Sequence, residues 1–112
     1  MNRQTWATLQ DVGVAAGTLL PVDAFFYSSD EARSSALAAD LRTAGWDVNT
    51  ETSTRGLFRK RTTWAVQANK TLPAGLDTFD AMVRSLALAA ERHDVEFDGW
   101  GAEAPGDGER AG

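Results

Sequence analysis

The sequence predicts an α+β fold, in which a four-stranded antiparallel sheet carries two helices on one face. Residues 46–52 and 61–69 alternate apolar and polar side chains, as half-buried strands do. Residues 76–92 instead have apolar side chains three and four positions apart, which is the period of a helix with one buried face. After a short N-terminal helix the element order is β-α-β-β-α-β, which is the split-βαβ or ferredoxin-like sandwich plan.

The N-terminal region, residues 1–20, is predicted to hold a short helix over residues 2–16, because positions 6, 9, 13 and 16 form one apolar stripe. The first strand follows at residues 22–27, which are rich in aromatic side chains. Ser28 and Glu31 have the spacing of a capping box, so the next helix is expected to begin there. It runs to about residue 44, and Gly45 stands where a left-handed C-terminal cap belongs.

The second half of the chain is predicted to form a hairpin, a helix and a last strand. A hairpin loop over residues 53–60 is expected to join the two alternating strands. The helix over residues 76–92 then leads into a last strand at residues 94–102, with Val95 and Phe97 facing inward. Residues 21–103 are therefore predicted to form the ferredoxin-like domain. Residues 104–112 are rich in glycine, proline and charge and are predicted to be a disordered tail.

Composition narrows the class of protein. The 112 residues suit one domain, and the absence of cysteine excludes disulfides and thiolate metal sites. No apolar run reaches the roughly 18–20 residues that span a bilayer, and no signal peptide is recognisable, so a cytoplasmic protein is expected. The net charge of −5 disfavours a broad nucleic-acid face and suits a basic protein partner.

Residues that carry chemistry are few. His93 is the single histidine, and at the end of a helix it is expected to interact with the helix dipole. No glycine-rich phosphate loop occurs, and the carboxylates are scattered along the chain. The sequence therefore predicts a protein that is not an enzyme and that has no metal ion or other cofactor.

A basic cluster stands out in this acidic chain: Arg55, Arg59, Lys60 and Arg61. Basic residues next to aromatic ones can bind a phosphate backbone, which makes an anion-binding or RNA-binding hairpin one interpretation. The other interpretation is the solvated tip of a hairpin, which also protects a strand edge from pairing.

The predicted sheet also has a face without helices, and strand alternation assigns Phe25, Tyr27, Glu96, Asp98 and Trp100 to it. Aromatic side chains surrounded by carboxylates are typical of a partner-binding surface. Two alternatives remain open: the N-terminal helix covers this face, or two copies of the chain pair through it as a homodimer. A small-ligand-binding module of the same fold is a further alternative.

The last strand contains the most specific motif, Asp98-Gly99-Trp100-Gly101. Both glycines leave room around Trp100 and permit a bend near the end of the strand, so a structural role is expected.

Residues 93–102, HDVEFDGWGA, resemble the closing motif of the family of regulators of ribonuclease activity B (RraB). Residues 21–27 and the Ala44-Gly45-Trp46 passage are similar to other parts of that family. The resemblance implies a ferredoxin-like domain without catalytic activity. It also implies a protein partner, an endoribonuclease, whose cleavage of RNA is lowered when its non-catalytic region is bound.

Overall fold

A computed structural model describes residues 2–56 and 61–103. The predictions for the tail at residues 104–112, and for Arg59 and Lys60, lie outside these residues. In chain order the described elements are α1 (Asn2–Asp11), β1 (Leu19–Ser28), α2 (Glu31–Thr43), β2 (Asp47–Arg55), β3 (Arg61–Pro73), α3 (Leu76–His93) and β4 (Glu96–Ala102).

The four strands form one sheet in the order β2-β3-β1-β4, and every neighbouring pair is antiparallel. β1 and β2 are joined through α2 and have β3 between them, whereas β3 and β4 are joined through α3 and have β1 between them. This arrangement confirms the predicted α+β class and is consistent with a ferredoxin-like sandwich.

The main core lies between the sheet and the helices. Alternate residues of β1 point into it, and Val22, Ala24 and Phe26 are fully buried. The facing residues of β3 in the same register, Val66 and Ala68, are buried as well. From the helices the core receives Leu37, Leu41, Met82, Leu86 and Ala90.

The helix α1 packs on the same side of the sheet as α2 and α3. Leu9 lies in a second cluster with Leu20 and Phe79, and the ring of Trp6 meets that of Phe79 edge-on at a centroid distance of 6.1 Å. The alternative in which the N-terminal helix covers the other face of the sheet is therefore wrong. The helix also ends at Asp11, five residues earlier than predicted.

Each of the three helices in the described residues ends with the same hydrogen-bonded turn, in which a left-handed residue precedes a buried apolar one. After α2 the left-handed residue is Gly45 with φ 95°, and the N–H of Trp46 donates to the carbonyl of Leu41 at 3.0 Å. After α3 the left-handed residue is Asp94 with φ 53°, and Val95 is buried behind it. This turn anchors each helix end by an apolar contact. It also explains why β2 and β4 begin later than predicted.

The start of α2 differs from the predicted capping box. The N-cap residue is Asp30, whose Oδ1 accepts a hydrogen bond from the N–H of Arg33 at 2.9 Å. Ser28 still belongs to β1, where it pairs with Trp64, and its Oγ accepts from the N–H of Asp30 at 3.0 Å. The capping-box prediction was wrong because the strand continues to the position assigned to the cap.

Candidate functional site

The side of the sheet that faces away from the helices is here called the open face. Strand register places four of its side chains in one row across the sheet: Glu96, Tyr27, Ala65 and Glu51. Tyr27 is 37% exposed and both glutamates are exposed. The predicted positions of Tyr27 and Glu96 on this face are confirmed by the register.

A second row lies one pleat further along the strands, with Phe25 in β1 beside Gln67 in β3 and Asn49 in β2. Phe25 is half-buried, and Gln67 and Asn49 are exposed. Together with Tyr27, Ala65 and Glu51 of the first row, these residues line a surface cavity of about 260 Å³. The open face therefore has an aromatic centre, with amides beside it and carboxylates further out.

The charge of the open face is predominantly negative. Asp23 and Asp47 lie in the next row, at the side of the amide of Asn69. With Glu51 and Glu96 they place four carboxylates on the face. The basic Arg61 is the first residue of β3 and lies at the opposite end of the strand from Asp23 and Asp47. Such a surface repels phosphate and attracts cationic groups.

A β-bulge in β4 changes the expected position of Trp100. Phe26 pairs with Phe97, but Phe25 pairs with Gly99, so that Asp98 is an extra residue without a cross-strand partner. Beyond a bulge the alternation of side chains is shifted by one, and Trp100 comes to lie opposite Ala24, on the helix-covered side. The prediction that Trp100 lies on the open face is wrong, because simple alternation does not count the extra residue.

Trp100 instead joins the two core clusters. Its ring lies 5.0 Å from that of Phe79 between centroids, with 44° between the planes. It is half-buried and packs against both the main cluster and the one that contains Leu9. The geometry thus ties the end of β4 to α3 and to the α1 cluster.

Two glycines flank Trp100, and only Gly99 has a positive φ. Gly99 has φ 147°, which side chains rarely adopt, so the bulge itself favours glycine at this position. Apart from the adjacent residues of the chain, a Cβ atom added at Gly99 or at Gly101 would meet nothing within 4 Å. The interpretation that both glycines leave room around Trp100 stays a prediction, because Trp100 is the chain neighbour of both.

A polar contact links α2 to α3 on the opposite side of the molecule. His93 Nε2 donates to Asp40 Oδ2 at 2.5 Å, and Arg92 Nη1 lies 3.4 Å from the same oxygen. The hydrogen bond from His93, followed by the nearby positive charges, holds the pKa of Asp40 below its usual value. The predicted placement of His93 at the helix end is correct. The carboxylate partner was missed, because it is 53 residues away in sequence and leaves no local pattern.

The basic cluster is described only in part. Arg55 and Arg61 are cross-strand partners at the end of the β2–β3 hairpin. The anion-binding prediction for the whole cluster stays a prediction, because the residues between them lie outside the described part of the chain.

The described part of the chain contains neither a metal-binding cluster nor a membrane-spanning helix. Among residues 2–56 and 61–103, no group of three or more His, Asp or Glu side chains is arranged to hold a metal ion. In the same residues no helix is long and apolar enough to cross a membrane.

Comparison with known families identifies the relationship that the closing motif indicates. The family model described as regulator of ribonuclease activity B (RraB) matches residues 1–102. The chain belongs to the RraB family. No curated protein matches the chain. The RraB match runs from α1 to the end of β4, so it includes the open face and the bulge around Gly99. Membership of this regulator family supports a role in regulating ribonuclease activity.

Proposed function

We propose that this RraB-family protein binds an endoribonuclease through the open face and thereby lowers RNA cleavage, without catalysing a reaction itself. The observation that carries the proposal is that no helix among residues 2–56 and 61–103 covers this face, because α1 packs against α3 on the other side. The aromatic side chains of Phe25 and Tyr27 thus remain available to a partner.

The size and composition of the open face suit a protein partner. Four strands about 4.8 Å apart and about nine residues long give a face of roughly 20 by 30 Å, or about 600 Å². Each partner in a standard interface buries about 800 Å², so the face supplies most of a modest interface. An apolar centre at Tyr27 and Ala65 with a charged rim at Glu51 and Glu96 is the usual anatomy of such surfaces.

Charge suggests how binding lowers cleavage. A surface that contacts RNA carries basic residues that neutralise phosphates. The carboxylates Asp23, Asp47, Glu51 and Glu96 give the open face the charge that such a surface attracts. Occupation of a basic region of the enzyme by this face then excludes RNA from the same region, and electrostatic attraction speeds the encounter.

The proposal is tested by measuring binding to the non-catalytic region of an endoribonuclease by calorimetry, and RNA cleavage in parallel. Binding at low salt and slower cleavage are expected. Both effects should weaken at least about tenfold when Tyr27→Ala is combined with Glu96→Gln, since loss of a central interface aromatic costs 1–2 kcal/mol or more. Leu88→Ala, which removes an exposed apolar side chain from α3, is the matched control and should change neither.

Absence of binding at low salt, where charge attraction is strongest, would refute the proposal. Sedimentation of the native chain and of the same variants measures the oligomeric state, and so distinguishes a homodimer from binding of an endoribonuclease. A stable dimer of the native chain that dissociates on Tyr27→Ala would assign the open face to a second copy instead. Binding to RNA that depends on Arg55 and Arg61 would support the hairpin interpretation.

A further inference from the structure

The cavity on the open face has a simple structural origin. In the first row Ala65 separates Tyr27 from Glu51, and these two residues lie on strands two positions apart in the sheet. Neighbouring strands are about 4.8 Å apart, so the two long side chains rise about 10 Å from each other with only a methyl group between them. We call the resulting gap, bounded in the next row by Phe25 and Gln67, the Ala65 notch.

The volume of the Ala65 notch limits what it can hold. At about 260 Å³ it is smaller than the sites of about 300–1,000 Å³ that enclose drug-sized ligands and cofactors. Phe26 and Val66 also line the cavity, although their side chains point into the core on the other side of the sheet. The notch therefore suits one side chain of a larger molecule better than a whole small molecule.

The chemistry around the notch selects a planar cation. The ring of Tyr27 offers an aromatic face, Glu51 lies on the opposite side of the cavity, and the amide side chains of Asn49 and Gln67 lie in the next row. A guanidinium group stacks on aromatic rings and donates two parallel hydrogen bonds to a carboxylate. An ammonium group is compact and more strongly hydrated, so it gains less from the same surroundings.

We propose that the Ala65 notch holds one arginine side chain of the protein partner, with its guanidinium between the ring of Tyr27 and the carboxylate of Glu51. This inference rests on the proposed function, since it names the chemistry by which the open face recognises its partner. Ala65 acts as a specificity residue, because any larger side chain there would fill the space that the arginine needs.

The test is an NMR titration of the full-length ¹⁵N-labelled protein with a short capped peptide that contains a single arginine among glycine and serine residues. Saturable shifts of the backbone amides of Tyr27, Ala65 and Glu51 are expected. Because only one side chain of the peptide is held, we expect a Kd in the millimolar range. The same peptide with lysine should bind several-fold more weakly, and the peptide with neutral citrulline should give no saturable shift, because the charge is lost.

Ala65→Leu fills the notch without a change of charge and should abolish the shifts, whereas Thr71→Leu, on the same strand and face but three rows away, should leave them unchanged. Retention of binding in Ala65→Leu, or no saturable shift in the native protein, would overturn the inference. If the native protein binds the endoribonuclease region but not the arginine peptide, the inference fails and the proposed function stands. If the peptide binds and the endoribonuclease region does not, the proposed function fails alone.

Discussion

Replacing Trp100 with alanine is expected to destabilise the fold and to affect partner binding only through that loss. Truncation of a buried tryptophan costs about 3–5 kcal/mol, and Trp100 is half-buried, so we expect about 2–3 kcal/mol. The loss includes the aromatic contact with Phe79 at 5.0 Å. For a domain of about this size, each kcal/mol lowers Tm by roughly 4–8 °C, which predicts a fall of about 8–24 °C.

Urea denaturation monitored by circular dichroism measures this change, and Tyr27→Ala is the matched comparison. Tyr27 is 37% exposed on the open face, so its truncation should cost less than about 1 kcal/mol while weakening partner binding. The reasoning is refuted if Trp100→Ala keeps native stability and loses binding. That result would mean that Trp100 contacts the partner and does not join the core clusters.

Four further substitutions test local features of the fold by their effect on the free energy of unfolding. Gly99→Ala should cost roughly 1–3 kcal/mol because of its positive φ, whereas Gly101→Ala, with open space around it, should cost less than about 0.5 kcal/mol; equal costs would contradict the bulge. Asp30→Ala should cost about 1 kcal/mol through the lost helix cap, and a neutral result would contradict the assignment of the N-cap. The folded-state pKa of Asp40 is lowered by His93, so its contribution is present above the ordinary value of 3.8 and is lost as the pH falls through the lowered pKa. The difference in unfolding free energy between the native chain and Asp40→Asn should therefore narrow below pH 3.8, and a constant difference would exclude this role.

The sequence allows most of the fold to be predicted, because the hydrophobic pattern is strong where the core forms. The alternation in β3 and the helical spacing that includes Phe79 and Leu86 identified the buried faces correctly. The ends of elements were harder to predict. β1 begins at Leu19 and β3 reaches Pro73, because these two residues pair across the sheet where alternation gives no signal.

The open face could be predicted in part. Phe25, Tyr27 and Glu96 were assigned to it by counting along strands, and that counting holds wherever the register is regular. It fails for Trp100, because a bulge adds one residue and the local sequence does not say on which side of the motif the extra residue lies.

The position of α1 and the Ala65 notch were beyond sequence reasoning for a different reason. The stripe that contains Trp6 and Leu9 is apolar whichever face of the sheet it covers, so only the tertiary packing against Phe79 decides. The notch depends on the cross-strand positions of Tyr27 and Glu51 relative to Ala65. The sequence of a single strand does not specify its register with another strand.

The central claim is that the open face, and not the helix-covered side, contacts the partner. Its most direct test is an amide hydrogen-exchange footprint of the protein with and without the non-catalytic region of an endoribonuclease. We expect new protection in β1 and β3 around Phe25, Tyr27 and Ala65, with α1 and the exposed side of α3 unchanged. Protection confined to the helices, or to the end of the hairpin near Arg55 and Arg61, would contradict the account.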